Sequence, residues 1–251
     1  WLNQLRVATT GAKVTPLAYG NPDLALAKRL APSELAFYYA YGAERVGFHL
    51  GITIAQNPSG WRSTQSKLSG PLRKNYTVNR QAISKLSSVV SAPELVLFRA
   101  RLAILLSPAI NGGSSEIFAQ SAVDGVRSQQ SKLRVNPGKY ALTSESGKVP
   151  ITLVNSFTTE VKVNLIFRAS NIRALVDDVP EITLAPQSRT QLAVPYVVIT
   201  SGSTQVNAIL TNQKGQWLSP SSPLSLSMTL IDSRVINNKW VGVRRIGFDG
   251  R

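Results

Sequence analysis

Beyond Pro137-Gly138 the apolar residues of this chain recur with a period of two, and that pattern constrains its fold more than any other feature. In "EVKVNLIFR" (160–168), Val161, Val163, Leu165 and Phe167 alternate with Lys162, Asn164 and Arg168. In "PLSLSMTLI" (223–231), Leu224, Leu226, Met228 and Leu230 alternate with Ser225, Ser227 and Thr229. Alternate side chains of a strand point to opposite faces, so each run buries one face and wets the other. "KYALTSES", "VPITLVN", "EITLAP", "TQLAVPYVVIT" and "TQVNAILTNQKGQWL" complete the set, the last turning over at Gln213-Lys214-Gly215. About seven strands at this spacing predict an antiparallel, immunoglobulin-like β-sandwich over residues 138–231. The handover lies in "LTSESGKVPITLVNS" (142–156), where 144–147 supply a turn and 149–154 the first core strand. Pro186 and Pro195 require edges or bulges, because proline donates nothing to a ladder.

Upstream the pattern is helical with short apolar interruptions. "WLNQLRVATTGAK" reads as a helix stopped by Gly11, and "VTPLAYG" (14–20) as a buried strand. "NPDLALAKRL" reads as a helix with Asn21 as its cap and Pro22 at the first position. "PSELAFYYAYGAERVG" predicts a helix capped by Ser33 and broken near Gly42, and "FHLGITIA" (48–55) a second strand. Helix, strand and helix in succession make residues 1–110 a partial α/β unit. Residues 111–137 follow as a connecting helix and linker, opened by the breaker "NGGSS" (111–115), and 232–251 form a basic tail. The whole is an α+β multidomain chain.

"ELVLFRARLAILLSPAI" (94–110) is the longest apolar run, but it carries Arg99 and Arg101 at its middle, which excludes a bilayer-spanning reading. The formal net charge is +15, from 28 Lys and Arg against 13 Asp and Glu. Such an excess favours anionic wall polymers or anionic lipid surfaces. The basic residues are spread along the chain without interleaved aromatics, which argues against specific nucleic-acid binding.

Chemistry is sparsely provided for. With no Cys and one His, His49, a thiolate nucleophile is excluded and a zinc site is not expected. His49 lies in an apolar, strand-like stretch and reads as a packed or hydrogen-bonded residue; no G-x-S-x-G elbow, P-loop or dinucleotide fingerprint is present. No cofactor is expected. The remaining catalytic candidates are Asp23, beyond the end of the first predicted strand, with Glu34 or Glu44, since polysaccharide hydrolysis needs paired carboxylates. Asp23 and Glu34 also read as acids stabilising helix N-termini. Asp177 and Asp178 are a loop, or a weak cation site. Trp61, and Trp240 with Arg244 and Arg245, are candidates for ligand or membrane-surface contact.

Two stretches carry a resemblance. "WLNQLR…VTPLAYGNPDLALAKRL" resembles a segment of an uncharacterised actinobacterial envelope family, in which a "WL…LR" helix precedes a strand ending in "PYADPDLAAL". "GVRSQQSKLRVNPGKYALTSESGKVPITLVNSF…VKVNL" and "LVDDVPEITLAPQSRTQLAVP" are similar to the entry into that family's immunoglobulin-like domain and its continuation. The likeness is greatest over 125–230, and residues 62–124 look shortened. The resemblance implies export, a barrel-like first domain akin to polysaccharide-active enzymes, the sandwich, and a C-terminal membrane helix. It also implies a gene near those for lipid-linked cell-wall precursor transport. Asn21 stands where the family has the first Asp of its "ADPD", and Asp23 matches the second. The expectation is a non-catalytic, secreted, membrane-anchored envelope protein. A carbohydrate-active enzyme, a hydrolase or deacetylase using Asp23 with a nearby Glu, is the alternative.

Overall fold

Alternation does what it predicts. A computed structural model describes residues 1–54, 64–66, 68–110 and 112–229. In it β2 (Gly138–Leu142), β3 (Ser146–Asn155), β4 (Val161–Ala169), β6 (Val179–Leu184), β7 (Ser188–Val198), β8 (Gly202–Thr211) and β9 (Ser222–Met228) form two facing sheets. Two three-residue strands, β1 (Leu133–Val135) and β5 (Ala174–Val176), join them, too short to show a period of their own. One sheet has the order β1-β3-β7-β5 and the other β2-β9-β8-β4-β6; every pairing is antiparallel except β2 with β9. The stretch expected to be a connecting helix and linker, 111–137, therefore holds the first strand after its helix.

The prolines follow the edges. Pro150 lies on β3 beyond the reach of β1, where its carbonyl accepts from the Tyr140 hydroxyl at 2.9 Å. Pro195 lies on β7 just past the last residue paired with β5, and Pro180 on the edge strand β6. At such places a ladder tolerates a proline, which has no N–H to donate. A bulge in β4 at Asn164 is closed by its own side chain, whose Oδ1 accepts from the Glu181 N–H at 2.9 Å.

The first half is helical among its described residues. α1 (Leu2–Ala8), α2 (Leu24–Leu30), α3 (Pro32–Leu50), α4 (Gly70–Ser87) and α5 (Pro93–Arg101) are followed by a 3-10 turn over Leu102–Leu106 and by α6 (Gly112–Ser131). No described residue before Leu133 is in a strand, so the α/β, barrel-like expectation is corrected. Residues 14–18 are neither helix nor strand, and the segment is held by a helix: Tyr19 N–H donates to the Tyr38 carbonyl of α3 at 2.9 Å. "FHLGITIA" was ambiguous because a short apolar run reads equally as a strand or as a helix's last turn. Here α3 runs on to Leu50 and is stopped by Gly51, left-handed at φ 73°. Gly42 does not break α3; any Cβ there would collide with the Leu17 carbonyl oxygen, so glycine admits the crossing segment. "NGGSS" does follow a break after Leu106, but α6 starts inside it, at Gly112.

Helices and sandwich share one continuous core. Ile83, Leu86, Leu95 and Leu106 belong to the same buried cluster as Ile151, Leu153, Leu165 and Leu224. At the end of the sandwich facing the helices alternation stops: Leu153, Val154 and Asn155 are buried in succession, as are residues 208–212. Both faces of those strand ends are covered. Polar ties cross the seam, from Asn212 Nδ2 to Ser88 Oγ at 3.0 Å and from Gln130 Nε2 to the Leu218 carbonyl at 3.1 Å.

Candidate functional site

Asp23, not Asn21, caps α2. Gly20 and Asn21 both take positive φ, 79° and 45°, and turn the chain so that helix begins at Leu24. Asp23 Oδ1 accepts from Leu26 N–H at 3.0 Å and Oδ2 from Ser66 N–H at 2.8 Å. The residue is 6% exposed, and its own N–H donates to the Leu106 carbonyl at 2.9 Å. The carboxylate thus fastens a helix start and a following loop, and the backbone N–H of the same residue holds the 3-10 turn.

Glu34 is occupied too. It is 1% exposed in the first turn of α3, with Oε2 held by Arg99 Nε at 2.7 Å and Oε1 by Arg99 Nη2 at 2.9 Å. Arg80 Nη1 stands 4.0 Å from Oε1. The Arg99 guanidinium also covers the Phe37 ring at 4.3 Å. Beneath them the hydroxyls of Tyr38 and Tyr76, both wholly buried, bond at 2.9 Å. Burial is the main reason Tyr76 is pushed up to about 12 and Tyr38 above the ordinary phenol range. Ser33 caps nothing; the N-cap position of α3 belongs to Ala31. This cluster joins α3, α4 and α5, and no local pattern announces it because its partners are far apart in sequence.

The other candidates stand elsewhere. Glu44 is exposed on α3 beside Phe48. His49 is an exposed residue of the last turn of α3, not part of an apolar strand. Its carbonyl accepts from Arg6 Nε at 2.8 Å, and its Nε2 lies 3.3 Å from Arg45 Nη2. A guanidinium only donates, so that ring nitrogen accepts. Asp178 accepts the Phe167 N–H at 2.7 Å and lies 3.8 Å from Arg168, which gives it a part in closing β4. Among the described residues no group of three or more His, Cys, Asp or Glu could hold a metal ion, and no helix is long and apolar enough to cross a membrane. Trp217 is half exposed after the turn at Gly215. Trp61, Trp240, Arg244 and Arg245 lie outside the described residues.

Comparison with solved structures gives partial likenesses. WR4, an MSP family member of C. elegans, is 12% identical and matches 39% of this chain and 98% of its own at a TM-score of 0.29. The CARDB domain of PF1109 from Pyrococcus furiosus is 11% identical, covering 39% and 94%, at 0.29. The ASH/PapD-like domain of human CEP192 is 10% identical, covering 41% and 87%, at 0.30. No curated protein matches the chain. A sequence-family profile does match, over residues 56–234, which takes in α4 to α6 and all nine strands described. The chain therefore belongs to the Family of unknown function (DUF6049).

Proposed function

We propose that this chain is a non-catalytic interaction or spacer module of the extracytoplasmic cell envelope, its sandwich stiffened by a helical cap. One observation carries the reading. Asp23 and Glu34, the carboxylates best placed by sequence for chemistry, are buried and have both oxygens engaged with backbone amides or Arg99. A glycosidase pair must instead face one cleft, about 5–10 Å apart, with an oxygen free for substrate or water. Export, an actinobacterial envelope and membrane anchoring of a longer protein rest on the resemblance of "LTSESGKVPITLVNS" and its flanks. The partner class follows from charge: +15 favours an anionic wall polymer or anionic lipid. Retention on anionic vesicles and on isolated wall polymer should fall about tenfold or more as salt rises from low to high concentration. Retention that does not change with salt contradicts the reading.

A further inference from the structure

A cavity of about 1070 Å³ lies between α1, the segment before Tyr19, α3 and α5. Its walls are largely apolar, with Leu5, Leu17, Leu50 and Leu97 among them. Tyr19 and Tyr41 line it as an edge-to-face pair, ring centroids 5.1 Å apart. The α1 wall is thin: none of its residues is buried, and Trp1, which also lines the cavity, is 87% exposed.

Charge on the lining is of one sign. Arg45 and Arg101 line the cavity, and among the described residues no carboxylate does. Arg45 rests over the Phe48 ring at 4.8 Å and reaches His49, while Arg101 is exposed at the end of α5. Glu34, which neutralises Arg99, is turned into the protein with both oxygens occupied. Glu44 borders a different depression. An apolar cavity with a few convergent polar groups is the usual form of a small-molecule site. With arginines as those groups, the complementary ligand has an apolar body and an anionic end.

We propose that this cavity binds a single linear amphipathic anion, a long alkyl chain ending in a carboxylate or phosphate. The chain lies among the leucines, and the head group lies at Arg45 and Arg101. The inference goes beyond the surface-charge reading, because the ligand is a monomer held in a cavity rather than a bilayer or wall polymer. The two can fail separately.

The test is calorimetry on the whole chain with dodecanoate and monododecyl phosphate, each below its micelle concentration, against octyl phosphate and neutral dodecyl maltoside. Saturable one-to-one binding is expected for at least one twelve-carbon anion, and which of the two binds identifies the head group. Octyl phosphate should bind about two orders of magnitude more weakly than its twelve-carbon counterpart, at about fourfold per methylene. Arg45→Gln with Arg101→Gln should weaken the anion at least tenfold and leave dodecyl maltoside unchanged. Both side chains lie outside the buried core, and circular dichroism checks that the variant folds. Absence of saturable binding by either anion, equal affinity for dodecyl maltoside, or an unaffected arginine variant overturns the proposal. So does a dimer of the chain that closes the cavity.

Discussion

Glu34 and Arg99 stand 65 residues apart in sequence and meet in two hydrogen bonds inside the helical cap. Two cations, Arg80 and Arg99, surround one carboxylate, and the buried Arg80 Nε has no hydrogen-bond partner. Such a pair adds little net stability over an apolar packing but is costly to break, because the survivor is left as a buried charge. The neighbouring phenols offer a cleaner test. Buried Tyr38 and Tyr76 keep their protons in the folded chain at pH values where unfolded tyrosines lose theirs. The stability they contribute is complete below about pH 10 and is lost as pH rises from there through the Tyr76 value of about 12. Each retained phenol proton steepens that loss by up to about 1.4 kcal/mol per pH unit. Urea midpoints between pH 10 and 12 should therefore fall more steeply for the natural chain than for the Tyr38→Phe/Tyr76→Phe double variant. Parallel curves would mean that the two hydroxyls are not held protonated in the core.

At the scale of elements, close packing decides where the helical cap departs from its sequence reading. Gly42 lies within the continuous helix α3, and the segment before Tyr19 crosses there, with the Leu17 carbonyl against it. Gly42→Ala gains about 1 kcal/mol of helix propensity but overpacks the crossing, for a net loss of about 1–2 kcal/mol in urea unfolding. Gly113→Ala in α6, where nothing lies within 4 Å, should be neutral or slightly stabilising in the same measurement. If both substitutions behave alike, the crossing is not tight. The seven long strands were legible because half-burial writes a period of two along each. β1 and β5 were not, since three residues cannot display it. Residues 14–20 and 48–55 read as strands because a crossing segment and a helix's end are both short and apolar. Asp23 was legible as an acid of the helix start, while its bond to Ser66 N–H, 43 positions on, was not. The Glu34–Arg99 pair left no periodic trace either. Arg99 was visible only as a charge that an apolar run should not contain.

At the scale of the molecule, the loss of alternation at the ends of β3 and β8 is where the two halves become one. Strand ends buried on both faces need something to cover them, and the helical cap shares their core. α6 runs through Lys132 into β1, and Ser156 N–H donates to the Lys132 carbonyl at 2.8 Å. A cap packed in this way would stiffen the interaction module proposed above; a catalytic barrel tethered to a spacer would have a core of its own. The most direct test is native-state hydrogen exchange across a urea series. Amides of Ile83 and Leu86 in α4, and of Ile151, Leu153 and Val206 in β3 and β8, should converge on one global opening free energy. If the α4 amides instead open at a distinctly lower free energy while the strands stay protected, the cap is a separate body and the account is wrong.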